Sequence, residues 1–391
     1  MIARPALEGG MVSRAMLVLL GSDLLLWTGF FMLVPFLPEH MTNLGHSGTM
    51  VGAVLAVRLL CQQGTMPLSG ALADRWGHRR ALLAGLGVRV GGFALMAVVT
   101  SAGGLAASAV LSGIGGSLIG AAFKASYTSA PGQADLTARF LWLGVADRLG
   151  QVLGPQVGTA LGTFAAQAWV ASALFLAVAA ATWLWLPDHP GRTDRPLLQN
   201  MLAQFRNRPL VGLVAALCGY WALQQQMSVL IPLAASRLGV AGGVGTLFSI
   251  SALAGLTLVL LLPRVRQDRL WRQISLAQAI TAASLALPML VNGYPGIILA
   301  TLGLAVAAAV GQPAMDALVG ILSPAGARAS AYGFAALSFG VGGAAGQVLG
   351  GWAWSHLGPR LPWLLFAALG TLTLLVLLLL RKGVDAHGNG S

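Results

Sequence analysis

The stretch that decides the fold is GALADRWGHRR, which occupies Gly70–Arg80. Five ionisable side chains stand here between two long apolar runs: Asp74, Arg75, His78, Arg79 and Arg80. A short basic stretch in this setting is typical of a tight turn at a membrane face, with its arginines on the cytoplasmic side. Gly70 and Gly77 allow the backbone to turn sharply. Asp74 is expected to cap a neighbouring helix or to pair with an arginine.

The composition of the chain is that of a membrane protein. Of its 391 residues, 57% are hydrophobic and 9% are charged, whereas a soluble domain carries roughly 25% charged residues. The net charge of +12 lies in short loops between apolar runs, so it indicates membrane topology and no nucleic-acid partner. Cys61 and Cys218 lie far apart in apolar runs, which excludes a disulfide framework and a Cys-rich metal site. No zinc spacing, P-loop or nucleophile elbow is present, so we expect no metal and no enzyme activity.

Apolar runs of about 20 residues, each long enough to cross a bilayer, recur along the chain. We place twelve spans near residues 15–38, 49–70, 81–100, 105–127, 139–163, 168–187, 209–233, 243–263, 273–292, 295–317, 330–354 and 362–380. Seventeen basic residues fall in loops and tails on the side of the termini, and two, Arg237 and Arg360, fall on the other. This bias predicts that both termini are cytoplasmic and that the protein spans the cell's inner or plasma membrane.

A polar stretch divides the predicted spans into two sets. Residues 188–208 are predicted to form a cytoplasmic linker, with a short amphipathic helix around 197–205, between residues 1–187 and 209–391. The string GQVLG occurs at Gly150–Gly154 and again at Gly346–Gly350, an offset of 196 residues. A chance match is the alternative, but the positions favour an internal duplication. The expected fold is therefore an all-α polytopic membrane protein with two pseudo-symmetric six-helix bundles.

The twelve spans, the linker and the opening stretch resemble the major facilitator superfamily. The signature between spans two and three of that family, roughly G-x-L-A-D-R-x-G-x-R/K-R/K, is matched at Gly70, Leu72, Ala73, Asp74, Arg75, Gly77, Arg79 and Arg80. In span five, Gly150, Gly154, Pro155 and Gly158 resemble the antiporter signature G-x-x-x-G-P-x-x-G, which is associated with exporters. The resemblance implies two bundles around a central cavity that opens alternately to either side.

Other stretches resemble the MdtH-type multidrug-resistance branch of the superfamily. They are VRLLCQQG (Val57–Gly64), LSGIGGSL (Leu111–Leu118), QPAMDAL (Gln312–Leu318) and YGFAALSFGVGGAAGQVLGG (Tyr332–Gly351). The resemblance implies a proton-driven exporter of small, largely apolar molecules, with no cofactor beyond the proton motive force. One departure is that Ala109 and Ser112 stand where the span-four motif R-x-x-Q-G-x-G has arginine and glutamine.

Charged residues inside the predicted spans are the candidates for proton coupling. A central Asp, Lys or Arg costs roughly 2.5–3.5 kcal/mol on insertion scales, so each needs a partner or a wet cavity. Asp23 is the first candidate proton carrier and Asp147 is the second, with structural ion pairs as the alternative. Arg148 follows Asp147, and adjacent helical residues point about 100° apart, so the two are expected to face different partners. We hypothesise that Arg58 or Arg89 replaces the missing span-four arginine.

Aromatic and amide side chains within the spans are the candidates for substrate binding. In span seven, Tyr220, Gln224 and Met227 share one helical face beside Trp221, a mixture that suits an adaptable pocket. Interfacial anchoring is the alternative for this group. Trp27, Phe30 and Phe31 in span one are expected to face the same cavity, with core packing as the alternative, and Gln62 shares a face with Arg58.

The signature residues are expected to control conformation. The span-five glycines permit close helix approach, Pro155 can bend the helix, and Asp74 is expected to meet the start of span eleven near residues 329–332. Glu39 is expected to be an exposed interfacial acid, with a gate or proton-entry role as the alternative.

The expected partners are a small molecule, protons and the lipid bilayer, and the chain is expected to be a monomer. Two alternatives to a drug exporter stay open. One is an exporter of a lipid, glycolipid or siderophore, and the other is a non-transporting sensor or scaffold.

Overall fold

The computed structural model describes residues 14–129, 136–186, 204–240, 242–261, 270–322 and 328–388, and these ranges contain helices and no strand. Their α-helices are α1 (Arg14–Leu33), α2 (Leu37–Asn43), α3 (Gly48–Leu59), α4 (Met66–Trp76), α5 (His78–Val98), α6 (Ala102–Ser129), α7 (Leu136–Leu161), α8 (Phe164–Trp185), α9 (Arg208–Gln224), α10 (Leu230–Arg237), α11 (Gly243–Leu261), α12 (Leu270–Leu290), α13 (Tyr294–Leu322), α14 (Arg328–His356) and α15 (Leu361–Gly388).

Three of the predicted spans consist of two α-helices joined by a short 3₁₀ or π-helical turn. A 3₁₀ turn at Val34–Phe36 joins α1 to α2, and a 3₁₀ turn at Gln225–Ser228 leads from α9 towards α10. A π-helical turn at Leu60–Gly64 lies between α3 and α4. Short π turns inside α-helices often mark functional sites, because they rotate the side chains that follow relative to a regular helix.

The structure confirms the all-α membrane class. Eight helical stretches in the described part of the chain are long and apolar enough to cross a membrane. Helix is present within each of the twelve predicted spans. The number twelve stays a prediction, because the described residues of the other four spans do not meet both the length and the hydropathy criteria. The first helical stretch runs past its predicted end at residue 38 to Asn43, and α13 runs past residue 317 to Leu322.

The opening stretch folds more tightly than the sequence indicated. Gly70–Trp76 is the last part of α4, and α5 begins at His78, so the turn is the single residue Gly77. Its φ of 90° and ψ of 143° lie in a region that residues with a Cβ rarely adopt. The expectation of a turn over all eleven residues was therefore wrong, because the helix continues until this glycine.

Hydrogen bonds near the helix ends and between loops define two faces of the protein. On one face Arg79 donates through Nη2 to the Trp183 carbonyl, and Asn207 Nδ2 donates to the Leu322 carbonyl at 2.9 Å. On the other face His46 Nε2 lies 2.8 Å from the Thr100 carbonyl. There Arg360 Nη2 also donates to Asn292 Oδ1 at 3.2 Å. We call the face with the start of α1 and the end of α15 the terminal face, and the opposite one the distal face.

The two GQVLG strings pack in equivalent ways. A Cβ on Gly150 would lie 2.9 Å from the Leu24 carbonyl oxygen of α1, so α7 and α1 are in backbone contact there. A Cβ on Gly346 would lie 2.2 Å from the Ala222 carbonyl oxygen of α9. This agreement supports the duplication. The boundary at 188–208 falls largely outside the described residues, as does the linker helix at 197–205, and both stay predictions.

The halves before and after residue 200 meet near the distal face. Thr49 N donates to Ser355 Oγ at 2.9 Å, linking α3 to α14. Gln156 Nε2 donates to Ser249 Oγ at 3.0 Å, linking α7 to α11. A Cβ on Gly52 would lie 2.3 Å from the Gln347 carbonyl oxygen. These contacts hold the distal ends of the two halves together in this conformation.

Candidate functional site

A cavity of about 140 Å³ lies among the helices of the N-terminal half. We call it the inner cavity, and it is lined by Asp23, Leu26, Trp27, Phe30, Gln62, Arg89, Gly116, Ile119, Gly120, Phe123, Leu143, Asp147 and Phe175. These residues come from α1, the π turn, α5, α6, α7 and α8. Two carboxylates, one guanidinium and several aromatic rings therefore line one space inside the membrane-spanning part of the protein.

The face of α1 that lines the inner cavity follows from its sequence. Asp23, Trp27 and Phe30 are spaced at i, i+4 and i+7, which places them on one side of a helix. Asp23 is 5% exposed, so its carboxylate is almost withdrawn from the surface. Asp147 reaches the same cavity from α7 and is half-buried. The two candidate proton carriers are thus brought to one cavity from different helices.

Arg58 is held beside the inner cavity by two neighbours. Its Nη1 donates to Gln62 Oε1 at 2.9 Å, and its guanidinium carbon lies 5.2 Å from the centre of the Phe30 ring. A guanidinium over a ring face is attracted by the π electrons, and more so when water is excluded. Arg58 is 6% exposed, so these contacts replace solvent around its charge.

Arg89 lies in a cage of aromatic rings. Its guanidinium carbon is 5.0 Å from the Phe30 ring centre, 5.4 Å from that of Phe93 and 5.2 Å from that of Phe175. Phe93 and Phe175 are themselves edge to face at 5.3 Å. Phe30 therefore contacts both buried arginines, and α1, α3, α5 and α8 all contribute to this cluster.

Helix α6 presents glycine to the inner cavity where Arg89 approaches it. A Cβ on Gly116 would lie 2.6 Å from Arg89 Nη1 and 3.1 Å from Gln62 Cδ, so a larger residue would require these two side chains to shift. Ala109 is buried, and Ser112 Oγ donates to its carbonyl at 3.1 Å. Arg89 thus brings a positive charge from α5 to the surface of α6, the helix that lacks the arginine of the family's span-four motif.

Arg148 faces away from the inner cavity. Its Nη1 donates to Gln151 Oε1 at 3.1 Å, and a Cβ on Gly255 of α11 would lie 3.4 Å from it. Asp147 lines the inner cavity instead. The neighbouring acid and base therefore have different surroundings, and Arg148 lies at the contact between the halves.

The span-seven residues form a separate cluster in the C-terminal half. Tyr220 is fully buried, and Gln224 Nε2 donates to its hydroxyl and to Thr281 Oγ1, both at 3.2 Å. Trp221 packs on Phe339 at 4.4 Å between ring centres. The structure does not bring this group, or the half-buried Met227, to the inner cavity.

Phe31 connects the inner cavity region to the other half. It stacks on Trp27 at 5.7 Å and lies 6.3 Å from Phe248 of α11. Phe31 does not line the inner cavity, whereas Trp27 and Phe30 do. Sequence reasoning missed Phe175 and Phe123, because a phenylalanine in an apolar span carries no signal that separates a cavity wall from a lipid-facing side.

The signature residues lie mainly outside the inner cavity. Gly70 is in the interior of α4, and Arg75 and Arg80 are exposed at the terminal face. The predicted contact of Asp74 with residues 329–332 rests on side chains outside the described part of the chain. Pro155 lies inside α7, where its carbonyl accepts from Thr159 Oγ1 at 2.9 Å.

Comparison with known proteins identifies the family. The Major Facilitator Superfamily profile matches residues 19–287. The chain belongs to the major facilitator superfamily. It is therefore a multi-pass membrane transporter and not an enzyme, as the sequence predicted.

Curated superfamily members and solved structures resemble the chain over nearly its whole length. Multidrug resistance protein MdtH of Edwardsiella ictaluri is 32% identical over 371 residues, covering 92% of both chains. MdtH of Klebsiella pneumoniae is 30% identical over 370 residues, with the same coverage. A POT family transporter solved with 5-aminolevulinic acid matches with a TM-score of 0.79 at 15% identity, over 94% of this chain and 96% of that one. The nucleoside transporter NupG matches with a TM-score of 0.77 at 18% identity, over 95% and 100%. These structures agree with the superfamily fold.

Proposed function

We propose that the chain is a proton-coupled exporter of small amphipathic or hydrophobic compounds, working by alternating access in the cell's inner membrane. The observation that carries the proposal is that Asp23 and Asp147 line the same inner cavity as Trp27, Phe30 and Arg89. Two acids can exchange protons there, and the aromatic rings offer apolar surface to a drug-like molecule. The relatives named multidrug resistance proteins agree with this substrate class.

The proposed cycle uses the closed distal face as one of its two end states. With the halves in contact through Thr49–Ser355 and Gln156–Ser249, the inner cavity loads compound from the terminal face. We expect this face to be cytoplasmic, because most of the basic loop residues are predicted to lie there. Separation of the distal ends then releases the compound. A proton from outside then binds an inner-cavity carboxylate. The protonated protein returns to the state with its distal face closed, where the proton is released.

In the proposed exchange, the membrane potential drives export of a neutral compound against a gradient, and the pH difference drives export of a monovalent cation. Each proton that enters across about 100 mV contributes roughly 2.3 kcal/mol, before any pH difference is added. The inner cavity of about 140 Å³ is smaller than typical drug sites of roughly 300–1,000 Å³. We therefore expect it to widen when compound binds, through movement of α7 against α11.

The decisive experiment compares acid variants in liposomes. Purified protein is reconstituted, a pH gradient is imposed, and movement of the cationic dye ethidium and of protons is followed together. Asp23→Asn and Asp147→Asn should each reduce gradient-driven transport about tenfold or more, equivalent to roughly 1.4 kcal/mol of lost coupling. Asp316→Asn is the matched control, since Asp316 is exposed on α13 and does not line the inner cavity.

The outcomes separate the alternatives. Ethidium movement that ignores the pH gradient would contradict proton antiport while leaving drug transport intact. Movement of labelled lipid, glycolipid or siderophore without any dye movement would assign the other exporter classes. Protein that moves none of these compounds, with every variant unchanged in the cell, would favour a sensor or scaffold.

A further inference from the structure

A second cavity, of about 330 Å³, opens at the distal face between the two halves. We call it the distal cavity. One wall comes from α2 and the 3₁₀ turn before it. The other walls come from the connection between α7 and α8 and from the connection between α10 and α11. Its volume falls within the range of small-molecule sites, roughly 300–1,000 Å³. The inner cavity and its acids lie elsewhere, in the N-terminal half.

An unpartnered buried amide oxygen marks the distal cavity as a site for a hydrogen-bond donor. Gln167 lines the cavity and is 5% exposed, and its Nε2 donates to the Gly158 carbonyl at 2.9 Å. Because a carbonyl can only accept, this contact fixes which end of the amide is nitrogen. Gln167 Oε1 is buried and accepts from no group in the described part of the chain. Burying an acceptor without a donor is unfavourable, so a ligand N–H at this point would relieve the cost.

Other polar side chains of the distal cavity also present acceptors. Thr159 Oγ1 donates to the Pro155 carbonyl at 2.9 Å, and Ser236 Oγ donates to the Pro232 carbonyl at 2.8 Å. Their hydroxyl hydrogens are committed to the backbone, which leaves lone pairs for a ligand. Glu39 adds a half-buried carboxylate to the same wall.

The shared character of these groups identifies the ligand chemistry. A primary ammonium has three N–H donors and no acceptor, which complements the acceptor oxygens of Gln167, Thr159 and Ser236 and the Glu39 carboxylate. His40 lies flat on Phe164 at 4.0 Å between ring centres, so one face of its ring is covered. Arg237 follows Ser236 in sequence, but it is exposed and does not line the distal cavity.

We propose that the distal cavity binds the ammonium group of a primary amine, with Glu39 as its charge partner and Gln167 Oε1 as a hydrogen-bond acceptor. Phe36, Val240 and Val244 line the remaining surface and pack against the apolar body of the amine. The site is separate from the inner cavity, and it is tested by binding alone. Its failure is therefore distinguishable from failure of the proposed export.

Benzylammonium is the probe, because it combines a primary ammonium with a compact apolar ring. The full chain in phosphatidylcholine nanodiscs should bind it saturably in calorimetric titrations. Glu39→Gln should weaken binding about tenfold or more, which corresponds to roughly 1.4 kcal/mol. Gln167→Met should weaken it severalfold, whereas Glu39→Asp should retain most of the affinity. Benzyl alcohol, which has the same ring and no charge, should not bind measurably.

Several results would overturn the site. Absence of saturable binding, equal binding of benzyl alcohol, or unchanged affinity in Glu39→Gln would each do so. Loss of binding in Asp23→Asn with Glu39→Gln unaffected would place the amine in the inner cavity instead. Thermal unfolding of each variant shows whether it is folded, and the charge-retaining Glu39→Asp keeps the test valid if Glu39→Gln is unstable.

The ammonium group could be supplied by a soluble amine or by an ethanolamine lipid headgroup, and the nanodisc lipid distinguishes the two. If the headgroup competes for the site, benzylammonium should bind more weakly in phosphatidylethanolamine discs than in phosphatidylcholine discs. The Glu39→Gln variant should then bind it equally in both lipids. This pair of results supports the site, with the headgroup as a competitor. Equal binding in both lipids supports the site with a soluble amine as its ligand.

Discussion

Arg58 donates a hydrogen bond of 2.9 Å from Nη1 to Gln62 Oε1, across the junction between α3 and the π turn. The acceptor therefore sits in the segment where span two departs from regular helix. The same guanidinium lies over the Phe30 ring. Its planar shape matters here, because a guanidinium can stack on a ring and donate in its plane at once, which an ammonium cannot.

Arg58→Lys should destabilise the protein although the charge is kept. The lysine loses the stacking on Phe30 and the in-plane bond to Gln62, and a hydrogen bond from a charged group is worth about 1.5–3 kcal/mol. The free energy of unfolding in detergent, measured by denaturant titration, should fall by about that amount. Arg237→Lys is the control, since Arg237 is exposed at the end of α10. If both variants lose the same free energy of unfolding, the stacked geometry of Arg58 does not contribute to stability.

Phe30→Leu should cost more stability than Phe31→Leu. Both rings are half-buried neighbours on α1, but Phe30 lies within 5.2 Å of both arginine guanidinium carbons, whereas Phe31 contacts Trp27 and Phe248. A cation–π contact contributes about 0.5–1 kcal/mol when exposed and about 2 kcal/mol or more when desolvated, and leucine keeps apolar bulk without the π face. Melting temperatures of the two variants in the same detergent give the comparison. A smaller loss for Phe30→Leu would contradict the role assigned to this ring.

The charged part of the inner cavity was predictable from sequence, and its apolar part was not. Asp23 and Arg89 stand out because a charge inside an apolar run is costly and needs a reason. Phe175 carries no such mark, and it is placed beside Arg89 only by the packing of α8 on α5. Burial of Tyr220 at the centre of its own cluster was equally invisible, because helical spacing gives a shared face without saying what covers it.

The broad fold was predictable for a similar reason. Long apolar runs without charge indicate membrane-spanning helices, because the bilayer requires both features. The repeated GQVLG string indicates an internal duplication. Turn geometry depends on single residues, so the helical conformation of Gly70–Trp76 was missed. The distal cavity depends on α2 and on two separate connections that come together only in the folded protein, and no local pattern in the sequence indicates it.

Gly77→Ala should be destabilising, whereas Gly70→Ala should not. Gly77 has φ of 90° and ψ of 143° between α4 and α5, and a residue with a Cβ in such a sparsely populated conformation costs about 1–3 kcal/mol. Gly70 is within α4 with open space around a Cβ, so alanine there should stabilise the helix by up to about 1 kcal/mol. Thermal unfolding of the two variants tests the sign of each effect. A stabilising Gly77→Ala would show that the chain can turn here without the glycine conformation.

Gly52→Ala should shift the protein towards a state with its distal ends apart. Its Cβ would lie 2.3 Å from the Gln347 carbonyl oxygen, and backbone cannot move aside as a side chain can, so α3 and α14 must separate. Separation breaks the bond from Thr49 N to Ser355 Oγ, which measures 2.9 Å here. Hydrogen exchange by mass spectrometry should therefore show faster exchange at the start of α3, about tenfold for each 1.4 kcal/mol of shift. Gly87→Ala, on α5 with open space around its Cβ, should leave that exchange unchanged. Identical exchange in the two variants would mean that the close approach of α3 to α14 does not hold the distal face shut.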